Sequence, residues 1–200
     1  MRKAGRPAKF DRDDAVDIAL QAFWSEGYQA NSVKALSERL GITRSSFYNA
    51  FESQEALFLE ALERYLAGAP DRTLAQVPED GSICALLTRT FRAVCDALEQ
   101  DGAGKGCLLV NSVGALCLGG EGLGLIVAEL VIERVERLEA LLCAAAQRGE
   151  LDEMTDVKAL ALALKTQLLG LNLMAKVVKD KSALWPAART MLAGHGILRE

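Results

Sequence analysis

Between positions 43 and 49 the chain places Thr43, Arg44, Ser45, Ser46, Tyr48 and Asn49 around a single apolar residue, Phe47. Such a group suits gripping a nucleic acid better than breaking bonds. A guanidinium reaches a guanine edge or a phosphate, a carboxamide reads adenine, and hydroxyls donate to phosphate oxygens. Bond-making chemistry has no comparable foothold. His195 is the only histidine and stands between glycines, so no Ser/His/Asp or Cys/His set can be assembled. The five cysteines, Cys84, Cys95, Cys107, Cys117 and Cys143, contain no C-x-x-C pair, which supports neither a zinc site nor a disulfide framework. No catalytic residue, metal or cofactor is expected.

Those side chains act only if a scaffold presents them. Behind a basic arm (Arg2, Lys3, Arg6, Lys9, Arg12), Ala15, Ile18, Ala19, Ala22 and Phe23 recur with helical spacing, with Asp11 as N-cap and Gly27 as terminator. Asn31 is the expected N-cap of a short helix running to Leu40, with Val33, Leu36 and Leu40 inward, and Gly41 makes the break. Segment 43–51, capped by Thr43, turns Phe47 and Phe51 inward and leaves Arg44, Ser45, Tyr48 and Asn49 facing out. Two short helices about a tight glycine-containing turn form a helix-turn-helix, whose second helix enters the major groove. Arg6-Pro7 in the arm suits an extended path along the minor groove.

The run Phe23-x-x-x-Gly27-Tyr28, Asn31-Ser32-Val33, Leu40-Gly41-Ile42-Thr43-Arg44-Ser45-Ser46-Phe47-Tyr48-Asn49-Ala50-Phe51 and Ser53-x-Glu55-Ala56-Leu57 resembles the DNA-binding domain of the TetR family, over residues 10–60. The resemblance implies a recognition helix at 43–50, with Tyr48 on a phosphate and Asn31 or Ser32 capping the preceding helix beside another. The DNA-binding set is then Asn31, Ser32, Thr43, Arg44, Ser45, Ser46, Tyr48 and Asn49. Three positions depart from the family: Ser45 replaces a frequent glycine, Ala50 an aromatic or histidine, and Gln54 a phosphate-gripping lysine. Losing that lysine removes one backbone contact and predicts slightly weaker, less salt-sensitive binding.

Half the residues are apolar and a quarter charged, the balance of a globular protein. Eight Lys/Arg face six Asp/Glu in residues 1–50, against fifteen and twenty-one beyond, so the basic end is the end suited to DNA. The polar start lacks the apolar run of a secretory signal, and a cytoplasmic location is expected.

Beyond the helix-turn-helix, helical patterns fall at 53–67, with Leu57, Leu59, Ala61, Leu62 and Leu66 inward, and at 82–98, with Cys84, Leu87, Phe91, Val94, Cys95 and Leu98 on one stripe. The stretch 68–81, holding Pro70 and Pro78, is a connection. A small-residue helical segment lies at 106–113, whose Gly-Cys-Leu-Leu-Val-Asn is similar to one subgroup of the family, and a glycine-rich loop at 118–123. Further helices follow at 124–147, 155–179 and 182–193, the last capped by Ser182. With no strand pattern the fold is expected to be all-α: an N-terminal three-helix helix-turn-helix domain over 1–52, then a helical ligand-binding and dimerisation domain over 53–200.

The 155–179 helix is nearly apolar all round but interrupted by Lys165, Gln167, Asn172 and Lys176, which favours burial between protein surfaces over a membrane partner. A second copy of the chain is the simplest cover, and the resemblance implies a homodimer built on the last two helices. Pocket candidates are Phe91, Cys95, Cys107, Asn111, Gln167, Leu171 and Met174, an apolar set with Asn111 and Gln167 as polar anchors. Cys107, at a helix start beside Lys105, is placed where a thiol can react with an oxidant or electrophile, although free cysteine is more often a small buried hydrophobe. The expected function is a dimeric repressor released from a palindromic double-stranded operator by a small-molecule effector. The alternatives are a thiol-based redox repressor acting through Cys107, and a small-molecule binding protein or enzyme that does not bind DNA.

Overall fold

The computed structural model describes residues 11–117 and 122–199. The Arg6-Pro7 arm and most of the glycine-rich loop lie outside them. Among the described residues every regular element is helical, and the chain divides into two compact units, one ending at Tyr65 and one beginning at Leu66.

Unit 1 is built from α1 (Arg12–Glu26), α2 (Val33–Leu40), α3 (Arg44–Phe51) and the larger part of α4 (Gln54–Gly68). Local chemistry starts and stops each helix. The Asp11 carboxylate accepts from the Asp13 and Asp14 amides, and Gly27 returns its N–H to the Phe23 carbonyl. Ser32, not the expected Asn31, caps α2 by accepting from the Ala35 amide. Gly41 ends α2 in the left-handed region at φ 67°, where any β-carbon would be strained. Thr43 caps α3 and Ser53 Oγ accepts from the Ala56 amide at the start of α4.

The core of unit 1 is aromatic. Phe58 lies edge-on to Phe23 and Tyr28, with ring centroids 5.1 and 5.2 Å apart. Truncating such a ring costs on the order of 3–5 kcal/mol. Phe58 takes the inward place expected of Leu59 and Leu66, which are half-buried. These contacts hold α4 to α1, so the division expected after residue 52 falls inside α4 instead. Around the core, Arg12 grips both carboxylate oxygens of Glu60, and Arg64 reaches Asp13 and Asp17 at 2.9 and 3.0 Å.

Unit 2 contains α5 (Ile83–Gln100), α6 (Leu108–Leu116), α7 (Leu123–Gln147), α8 (Val157–Met174) and α9 (Leu184–Gly194). The expected connection at 68–81 includes a 3-10 helix, Pro70–Ala75, that buries Leu74. The predicted α5 stripe is buried throughout and meets Leu138, Leu141 and Leu142 of α7, the inner leucines of α8, and Leu184, Ala188 and Leu192 of α9. α8 has the length and composition to cross a membrane. Its two sides differ, however: Leu160, Ala161, Leu164, Leu168 and Leu171 enter the core, while Leu162 and Leu173 are exposed. It also stops at Met174, before the expected 179. Ser182 does not cap α9. It sits in a short 3-10 turn, donating its amide and hydroxyl to the Asp180 carboxylate.

Glu150, between α7 and α8, closes the start of α5. Its carboxylate accepts from the Ser82 hydroxyl and, at 2.9 Å each, from the Ile83 and Cys84 amides. Burial works against the charged form, but the hydrogen bonds from Ser82, Cys84 and Ile83 outweigh it and hold the carboxyl below its ordinary range. A lowered carboxyl stabilises the fold above the unfolded-state value and loses that contribution as acid protonates the native form. Glu150→Gln is therefore expected to lower stability by about 1 kcal/mol at neutral pH, or roughly 3 °C in Tm. Thermal melts of the two proteins should converge as pH drops below about 4.3.

Candidate nucleic-acid interface

The two faces of α3 are separated by helical spacing. Phe47 and Phe51, four residues apart, are both buried with ring centroids 5.4 Å apart, and they fix the helix against unit 1. Arg44, Ser45, Tyr48 and Asn49 lie on the opposite, exposed side. Tyr48 is 52% exposed, high for a large ring, and its face is set by an edge contact with Phe47. Within the described residues none of these four side chains is committed to a hydrogen bond. Thr43 and Ser46 are paired, hydroxyl to hydroxyl at 2.9 Å, which uses one of their two hydroxyl hydrogens and leaves the other for an outside acceptor. Ser32 is exposed at the N-terminus of α2, where its hydroxyl and the helix amides suit a phosphate.

Asn31 does not belong with them. It is 1% exposed, and its Nδ2 donates to the Ala22 carbonyl at 3.2 Å and the Gly27 carbonyl at 2.8 Å. The side chain braces the turn between α1 and α2 from inside and has no path to a phosphate. Gln54 is also engaged: its Nε2 donates to the Tyr28 carbonyl at 2.9 Å. The position that departs from the family's lysine thus locks the same turn from the α4 side.

The expected effector residues differ in what already engages them. Phe91, Cys95 and Leu171 share the packed core of unit 2. Burial pushes the thiols of Cys84 and Cys95 up to about 11, which keeps both protonated and unreactive. Cys107 is the half-buried N-cap of α6, and its side chain makes no capping bond. Asn111 spends its amide on the Lys105 carbonyl at 2.8 Å and its oxygen on Lys176 Nζ, bracing α6 against the end of α8. Gln167 is half-buried. Met174 is 47% exposed at the end of α8. Sequence reasoning noted Lys165 only as an interruption. The structure makes it a core position, and the signal was its spacing: it follows Ala161 by four residues and precedes Leu168 by three.

Residues 15–61 match the family described as bacterial regulatory proteins, tetR family, and residues 85–191 match the tetracyclin repressor-like C-terminal domain. The HTH-type transcriptional repressor ComR of Escherichia coli (strain K12) is 29% identical over 192 residues, spanning 96% of this chain and 91% of the relative. The HTH-type transcriptional regulator YezE of Bacillus subtilis (strain 168) is 30% identical over 185 residues, 90% of this chain and 93% of the relative. Among solved structures, a cysteine-substituted CifR, a TetR family transcriptional regulator in complex with 26-base-pair operator DNA, superposes with a TM-score of 0.82 at 28% identity. That alignment covers 96% of this chain and 100% of the other.

Proposed function

We propose, from the premise that this chain belongs to the TetR family and is a DNA-binding transcriptional repressor, that it acts as a cytoplasmic homodimer released from a palindromic operator by a small molecule held in unit 2. The observation that carries the reading is the exposed face of α3, whose uncommitted donors are presented by the buried Phe47 and Phe51. In this reading Arg44 and Asn49 address base edges. Tyr48, Ser45, Thr43, Ser46 and Ser32 hold phosphates and fix the register. Gln54, tied to the Tyr28 carbonyl, contributes no phosphate contact.

Dimerisation accounts for the outer side of α8. Leu162 and Leu173 leave apolar surface in solvent, and a second copy would cover it. Two recognition helices about a two-fold axis then read half-sites about one helical turn, roughly 34 Å, apart or a multiple of it. A ligand that prefers the DNA-incompetent shape by about 100-fold supplies roughly 2.7 kcal/mol of coupling. Sequencing the fragments that the purified protein retains from a random DNA pool tests the reading. A palindrome with that spacing is expected, whereas enrichment of a single unrepeated half-site would overturn the dimeric reader.

A further inference from the structure

Lys165 lies on the inner face of α8 between Ala161 and Leu168, both members of the unit 2 core. The residue is only 4% exposed, yet its Nζ makes no hydrogen bond and no ion pair among the described residues. A buried ammonium without a partner is costly, and truncation or neutralisation is the usual relief. The amine is not sealed in. No described buried nitrogen or oxygen is both cut off from solvent and without a partner, so Nζ opens onto space that a water-sized group can reach.

Three further elements carry groups that act electrostatically on that amine: Asp71 on the 3-10 helix, Cys107 at the head of α6, and Arg134 on α7. Arg134 already donates from Nη1 to the Leu130 carbonyl at 2.8 Å. With Lys165 charged, the cluster holds two cations against one carboxylate and is one negative charge short of neutrality. With Lys165 neutral, the charges balance but the amine is left buried with nothing to bond. Burial lowers the amine's pKa, and the Asp71 carboxylate offsets this only in part. A bound monoanion completes the charged form and gives the amine a partner. A dianion would overshoot the charge.

We propose that Lys165 anchors the carboxylate of the effector, a small organic acid. The inference rests on the reading that a small molecule held in unit 2 releases the operator. It is tested on the full-length protein with benzoate, phenylacetate and octanoate, each set against its uncharged amide, reading both Tm and operator release by fluorescence anisotropy. At least one carboxylate should raise Tm and weaken operator binding about tenfold, while its amide does neither. Lys165→Met should abolish that response, and Lys158→Met, an exposed lysine in the first turn of the same helix, should keep it. The ligand-free Lys165→Met protein should melt about 3 °C higher, because an unpaired buried amine has gone. Should it not fold, Lys165→Gln carries the same comparison. The proposal is overturned if no carboxylate differs from its amide, or if the difference survives in Lys165→Met. The two readings fail separately: a cell extract that releases the operator from wild type and Lys165→Met alike preserves ligand release and removes the anion site. Carboxylates that bind through Lys165 without disturbing the operator complex do the reverse.

Discussion

Changing Arg44 and Tyr48 together to alanine lowers operator affinity about 10³-fold and leaves the fold intact. The proposed dimer would lose four contacts, two on each half-site. At about 1 kcal/mol apiece, the low end for such contacts, the loss is about 4 kcal/mol, or three powers of ten. Both side chains are exposed and neither is committed within unit 1, so Tm should move by no more than about 2 °C. The salt dependence separates the roles of the arginine. A slope of log K against log salt reduced by about 2 places Arg44 on a phosphate of each half-site. An unchanged slope with relaxed sequence preference places it on a base edge. A double variant that binds like the parent would remove α3 from the interface altogether.

Asn31→Ala should also weaken repression, by a different route. The buried amide holds the Ala22 and Gly27 carbonyls together, and removing it leaves both short of a donor in a site water does not enter freely. The cost is about 2 kcal/mol. Hydrogen exchange should report it directly, with the amides at the end of α1 and the start of α2 losing protection about 30-fold. Because no phosphate contact is lost, the salt slope of the residual operator binding should match wild type. A slope lowered as for Arg44 would return Asn31 to the DNA-facing set.

Unit 1 was legible in the sequence because its helices carry their own punctuation. Asp11, Gly27, Gly41, Thr43 and Ser53 act on atoms within four residues of themselves, which is the range that spacing can resolve. Asn31 misled because Asn31 and Ser32 are both good caps. Only the closing of the turn against α1 decides that Ser32 reaches the Ala35 amide and Asn31 turns inward. Phe58 was passed over for Leu59, since two adjacent apolar residues fit a helical stripe almost equally and the ring partners Phe23 and Tyr28 choose between them.

The effector region was less legible for the same reason at longer range. Asp71, Cys107, Arg134 and Lys165 stand on four elements spread along the chain, and nothing in local spacing brings them together. Asn111 looked like a free polar anchor because its partners, the Lys105 carbonyl and Lys176, are found only once α6 meets the end of α8. The cysteines followed burial. Cys84 and Cys95 lie on the predicted stripe and are protected thiols.

The arginine clasps between α1 and α4 have a consequence for the operator itself. Arg12 on Glu60 and Arg64 on Asp13 and Asp17 add little energy singly, about 0–1 kcal/mol each, but they fasten the helix that follows α3 to the helix that opens the unit. With Phe58 packed edge-on to Phe23 and Tyr28, and Phe47 and Phe51 of α3 buried in the same unit, α3 is seated on that frame. A reader stiffened in this way meets its half-site as one body. Misfit within a half-site must then be absorbed by bending or twisting the DNA, so the stiffness of the bases α3 never touches should enter the affinity as well as the bases it reads.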